Sequence, residues 1–298
     1  MTKGILARRT VLAILCATCA FIGGCRTGPD SKAALAEMMN EPVSSLPPGL
    51  DADAAIAALD QGIYSTSRGT VVAVFYSNLA TVYRDAKKDY PRALADYDKA
   101  VALAPGISEI YVNRGMLRQL TGDPALARAD YSKALALDPE NALAYCRRGD
   151  LERMDHEDDR SIADYTASIV LDPRRAEAFC GRGMAYAQTA RYDQALADFG
   201  EAIKLNPRDY TAYHERGLAY LEEKTDLARA LADMDRALDV DPHQPVAHAD
   251  RARILEFLGR RSEALEEYRK VVKLSASAPP AVVEQAKQRI AALEDELR

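Results

Sequence analysis

Four histidines, two mid-chain cysteines and one dense run of charge are the side chains of this 298-residue sequence best equipped for chemistry. His156, His214, His243 and His248 could serve as general bases or metal ligands, but none sits in an HExxH pair and no carboxylates converge on them. Cys146 and Cys180 could form a redox pair. The run Asp155-His156-Glu157-Asp158-Asp159 could recruit a cation, yet its adjacent carboxylates lack the spaced ligands and the glycine of a calcium loop. A solvated turn is the expectation there. No Walker loop, nucleophile elbow, dinucleotide fingerprint or paired-cysteine zinc motif is present. Catalysis needs a defined constellation on a rigid support, and these residues do not assemble one. The chain therefore reads as a non-enzyme, with no cofactor and no metal.

The elements that must position these side chains repeat. Residues 176–208 place Phe179, Gly183 and Tyr186 at i, i+4 and i+7, one face of a helix, and Ala195, Phe199 and Ala202 do the same in a second helix. A polar break at 190–193 separates the two, and Pro207 ends the second by biasing Asn206 out of the helical region. Such an αα-hairpin cannot bury its apolar stripe alone; neighbouring copies must bury it. The copies keep a period of 34 residues. Gly115, Gly149, Gly183 and Gly217 form one row, continued by Ala252 after one inserted residue, and Pro105, Pro139, Pro173 and Pro207 form another. Tyr97, Tyr131, Tyr165 and Phe199 form a third, continued by Met234 and Tyr268. Two backbones approach most closely at the Gly row, where a bulky side chain would cost about 1–3 kcal/mol.

These rows resemble the tetratricopeptide repeat over residues 70–276, about six copies. The family's usual tryptophan is replaced by Tyr76, Tyr111, Tyr145, Phe179, Tyr213 and then His248, and Ser161 replaces the alanine of the other copies, departures expected to loosen packing locally. The resemblance implies an all-α fold, a right-handed superhelix of helix-turn-helix repeats forming a TPR-type α-solenoid whose first helices line a concave groove for peptide or helical segments. Its groove positions fall on Val112, Met116, Gln119, Cys146, Asp150, Arg153, Cys180, Met184, Gln188, His214, Leu218 and Glu222. Lys and Asn of the carboxylate-clamp subtype are missing, with Ser77 and Thr81 in their stead, which argues against chaperone tails as ligands. Arg114, Arg148, Arg182, Arg216 and Arg251 precede the small-residue row, and Asp96, Asp130, Asp164, Asp198 and Asp233 precede the aromatic row. These ladders suit ion pairs between neighbouring helices, worth about 0–1 kcal/mol each if exposed. Cys146 and Cys180, at equivalent places on successive first helices, should lie about 8–10 Å apart, beyond the ~7 Å Cα limit of a disulfide, so both are expected as thiols.

The ends carry the remaining signals. Lys3, Arg8 and Arg9 precede an apolar run from Thr10 to Ile22, shorter than the ~20 residues that span a bilayer comfortably. Ile22-Gly23-Gly24-Cys25 is similar to a bacterial lipobox, which implies removal of residues 1–24, acylation of Cys25 and a periplasm-facing envelope protein, outer-membrane in a Gram-negative host; an uncleaved anchor is the alternative. Residues 25–50 read as a Pro- and Ser-containing tether, 51–69 as an N-terminal cap or degenerate half repeat. In 279–298 the apolar face Val283, Ala286, Ile290, Leu293 and Leu297 reads as a capping helix, or else a partner-binding one. Net charge is −6, becoming −9 once the three cations of residues 1–24 are subtracted, and no basic stripe offsets it, so nucleic acid is excluded as a partner. The expected function is a membrane-anchored, non-catalytic adaptor for other envelope proteins, with assembly of a pilus, secretion or outer-membrane complex as the alternative.

Overall fold

The computed structural model describes residues 52–65, 69–222 and 226–297. The readings placed on residues 1–24, on Cys25 and on the tether lie outside the described residues. The described chain is helical throughout: α1 (Ala52–Ser65), α2 (Gly69–Val82), α3 (Tyr90–Leu103), α4 (Ser108–Leu120), α5 (Pro124–Leu137), α6 (Ala142–Met154) and α7 (Asp158–Leu171) come first. They are followed by α8 (Ala176–Gln188), α9 (Tyr192–Leu205), α10 (Tyr210–Glu222), α11 (Leu227–Val240), α12 (Pro245–Phe257), α13 (Arg261–Lys273) and α14 (Pro280–Glu296). Two compact units divide the chain, one through Arg148 and one from Gly149.

Local chemistry sets the ends of these helices. Asp138, Asp172, Asn206 and Asp241 each leave the helical region for an extended ψ near 90°, as a residue before proline must. Each side chain then accepts the amide two residues on, at 3.1–3.2 Å, closing an Asx turn over Pro139, Pro173, Pro207 and Pro242. The first helices end differently. Gly122, His156, Ala190 and Gly259 adopt positive φ, and the following amide bonds back five residues (Asp123 to Arg118, Glu157 to Glu152, Arg191 to Tyr186, Arg260 to Leu255). This is the Schellman geometry, in which glycine is the unstrained choice. His156 thus belongs to a turn row. The first repeat carries one extra residue between the two helices of its hairpin, and it widens the end of α2 into a π-turn, Tyr83–Lys87, closed by Lys88 at φ 56°.

The middle hairpins close ring against glycine. In the first unit a Cβ on Gly115 would lie 2.6 Å from the Tyr131 ring; in the second, a Cβ on Gly183 would lie 2.8 Å from the Phe199 ring. Tyr97, Tyr131, Tyr165, Phe199 and Met234 are fully buried, and so are Ala93, Ala127, Ala195, Ala230 and Ala264. The departures flagged as loosening turn out to be compensated. Buried Ser161 donates its hydroxyl to the Asp158 carbonyl at 2.9 Å. His248 reaches the Pro242 carbonyl at 3.1 Å as Tyr111 reaches that of Pro105, and its other nitrogen meets Glu267 at 2.6 Å. At the C-terminus, α14 lays Ala286 and Leu293 on Leu255, Tyr268 and Val271, covering the last apolar face.

The arginine–aspartate ladder is a buried fork. Arg114 gives Nε and Nη2 to Asp130 at 3.0 and 2.7 Å, Arg182 gives the same pair to Asp198 at 2.7 and 2.8 Å, and Arg216 gives them to Asp233 at 2.8 Å each. Each guanidinium also lies 5.5–5.9 Å from the ring three residues before it, Tyr111, Phe179 or Tyr213. Nη1 reaches back to the preceding second helix, to Asp98 from Arg114 and to Thr166 from Arg182. Because the aspartates are only 3–6% exposed, the surface value of 0–1 kcal/mol does not apply. Removing one partner strands a buried charge, at a cost of about 3–5 kcal/mol.

Candidate functional site

The sequence-derived groove positions divide sharply by burial. Val112, Cys146, Cys180 and His214 are 1–8% exposed and form floor, not contact surface. Two others are occupied from within: the Gln119 carbonyl accepts the Tyr131 hydroxyl at 2.9 Å, and Asp150 accepts that of Tyr165 at 2.8 Å. Arg153 reaches the same Tyr165 hydroxyl, whose pKa is raised by burial first and by Asp150 second. These polar groups answer to the core before they answer to a partner, because a buried phenol requires an acceptor. Met116, Met184 and Leu218 remain half-buried, and Gln188 and Glu222 are exposed.

In the second unit α8, α10 and α12 lie side by side, and an ionic strip joins the last two. His214 on α10 meets Asp250 on α12 at 3.0 Å and Glu215 at 3.5 Å; Arg253 reaches Asp250 at 3.7 Å and Glu222 at 3.8 Å. The imidazole stacks on Tyr210 with centroids 5.6 Å apart. Burial opposes its charge, but Asp250 and Glu215 outweigh burial and raise its pKa to about 9. It is an imidazolium at neutral pH, engaged at both nitrogens, and no general base. Burial first, then Asp209 and Glu215, pushes the Cys180 thiol up to about 12, which leaves it protonated and a poor nucleophile. Cys146 and Cys180 are both thiols. Among the described residues no three metal-ligating side chains converge. Met184 on α8 and Leu218 on α10 stay half-buried, flexible apolar side chains near these charges.

The family's groove positions end at Glu222 and leave out Asp250, Arg253 and Phe257 of α12, the last of which is 64% exposed. The signal was there: stepping 35 places from Glu222 lands on Phe257, once the insertion near 223–225 is counted.

Tandem helical hairpins closed in this way define an α-solenoid of the tetratricopeptide type. Tetratricopeptide repeat models match residues 108–141, 176–209 and 223–279. The fold is similar to that of pilF of Pseudomonas aeruginosa, with a TM-score of 0.63 and 17% identity over 80% of this chain and 99% of that one. It is similar also to a tetratricopeptide repeat protein of Parabacteroides merdae ATCC 43184, with a TM-score of 0.61 and 20% identity over 88% and 99%. YrrB, described as a TPR protein with an unusual peptide-binding site, aligns with a TM-score of 0.50 and 21% identity over 64% of this chain and 97% of its own. No curated protein sequence matches.

Proposed function

We propose that the chain is a non-catalytic interaction scaffold of the bacterial cell envelope. It is held to the membrane through an acylated Cys25, and the first-helix face of its second unit receives an extended or helical segment of another envelope protein. The observation that carries this reading is the placement of half-buried Met184 and Leu218 beside an ionic strip formed by His214, Asp250 and Arg253. Apolar groups of that kind gain most from a guest, while the charges around them select it. YrrB, whose description names a peptide-binding site, shares the fold.

Capture from envelope extract on residues 26–298 tests the face. Met184→Glu should abolish capture of a specific partner with an unchanged melting temperature; unaltered capture overturns the reading. Mass spectrometry of the mature N-terminus tests the anchor, and an unmodified Cys25 would remove the membrane from the account.

A further inference from the structure

The fork that ties the later hairpins is missing from the first. Leu79 stands where Arg114, Arg182 and Arg216 stand, and Ile63 of α1 stands where Asp98 and Thr166 supply the backward contact. The acceptors of the fork are nevertheless kept: Asp96, 6% exposed, holds the aspartate place, and the Tyr76 ring lies three residues before Leu79. Around them opens a cleft of about 310 Å³ whose walls include Asp60, Ile63, Tyr64, Tyr76, Leu79 and Asp96.

Lys99, one turn beyond Asp96, occupies it in part. Its Nζ lies 2.8 Å from Asp96 Oδ1 and 4.9 Å from the centre of the Tyr76 ring, while its side chain stays 55% exposed. Asp96 therefore holds one ammonium where its counterparts receive two N–H groups from a planar fork. Asp60 faces the same cleft, and its charge, after that of Asp96, helps to hold the Lys99 ammonium. Arg92, the other cation at the rim, is engaged by Asp89 at 3.2 Å and lies over Tyr83, so the two carboxylates of the cleft share the single, largely exposed ammonium of Lys99.

We infer that this cleft is a binding site for a guanidinium, the arginine side chain of a partner, which takes the place left by Leu79, bridges Asp96 and Asp60 and stacks on Tyr76. Guanidinium suits it better than ammonium because it is planar, weakly hydrated and able to pair with a carboxylate while stacking on a ring. Lys99, mostly in solvent, yields at small cost. The site is separate from the first-helix face of the second unit and does not depend on it.

Titration of the full-length chain with Nα-acetyl-arginine methylamide, followed on the Tyr76 ring resonances, tests the inference. Saturable millimolar binding is expected, at least about tenfold weaker for the lysine analogue and lost for the uncharged citrulline analogue. Leu79→Arg should fill the cleft from within, keep or raise the melting temperature and abolish binding. Equal affinity for the lysine analogue, no saturation by the arginine analogue, or wild-type affinity in Leu79→Arg would each overturn it. Should Leu79→Arg fail to fold, Asp60→Asn and Tyr76→Leu decide the matter: each should weaken binding by about threefold or more, and unchanged affinity in both overturns the site.

Discussion

Hairpins α4–α5 and α8–α9 are built on one scheme and offer different surfaces, and a single hydroxyl accounts for much of the difference. Both pack a glycine on a ring and both lock an arginine fork on a buried aspartate. Tyr131 in the first carries a phenol that must be satisfied, and Gln119, twelve residues before it, is committed to that task. Phe199 in the second carries none, and Ala187, twelve residues before it in the place of Gln119, packs on the cluster around it as an apolar group. The same rule runs along the chain: Thr81, Asp150 and Glu256 serve the hydroxyls of Tyr97, Tyr165 and Tyr268, while Leu218 and Leu221 accompany Met234. The polarity of the place held by Gln119, Ala187 and Leu221 is thus partly a projection of the core, and an apolar residue takes it where the core side chain lacks oxygen.

The comparison is tested hardest at what the two hairpins share. Asp198→Ala should lower stability by about 3–5 kcal/mol, since Arg182 would be left half-buried without its carboxylate; urea unfolding measures it. A loss below about 1 kcal/mol would reduce the fork to an ordinary surface pair and remove the common lock.

A second difference between the hairpins' neighbourhoods is titratable. The place held by Val112 on α4 is held by His214 on α10. With a folded pKa of about 9 against an ordinary 6.5, the imidazolium stabilises fully below pH ~6.5, and that contribution, on the order of 3 kcal/mol in total, fades as pH rises through about 9. His214→Gln should flatten the stability profile in this window. Equal slopes for the two chains would show that Asp250 and Glu215 do not hold the proton.

The hydroxyl rule itself predicts an asymmetry. Phe199→Tyr buries a phenol among apolar groups and should cost about 1–3 kcal/mol, whereas Tyr131→Phe forfeits one hydrogen bond and should cost about 0.5–1.5 kcal/mol, because half-exposed Gln119 can turn to water. Adding Ala187→Gln to Phe199→Tyr should recover most of the loss. If the double variant is no better than the single one, the match between ring and face is coincidence.

The hairpin period, the glycine-on-ring closure and the arginine–aspartate pairing could be read from residue types because each repeats in register, and repetition distinguishes a packing role from chance. What could not be read is direction and depth. Spacing alone does not reveal that the Asp130 and Asp198 carboxylates are buried, nor that Gln119 turns toward the core. The vacancy at Leu79 was legible as a break in the arginine row, but its cleft required the placement of Ile63 and Asp60 on α1. The π-turn at Tyr83–Lys87 was visible only as an extra residue, because a helix can absorb an insertion as readily as a loop can.

The smallest expected effect separates the same two hairpins at their turns. Gly122 after α4 and Ala190 after α8 hold the same left-handed position, at φ 88° and 56°. An L-residue there costs about 1–2 kcal/mol over glycine, partly offset by the entropy that glycine adds to the unfolded chain, about 0.5–1 kcal/mol. Ala190→Gly should therefore raise stability by about 0.5–1 kcal/mol and Gly122→Ala should lower it by a similar amount, read as opposite shifts in urea midpoint. Shifts of the same sign would mean that the turn after α8 is held by its surroundings more than by its backbone, and would break the equivalence of the two hairpins at the one place where neither core ring nor fork intervenes.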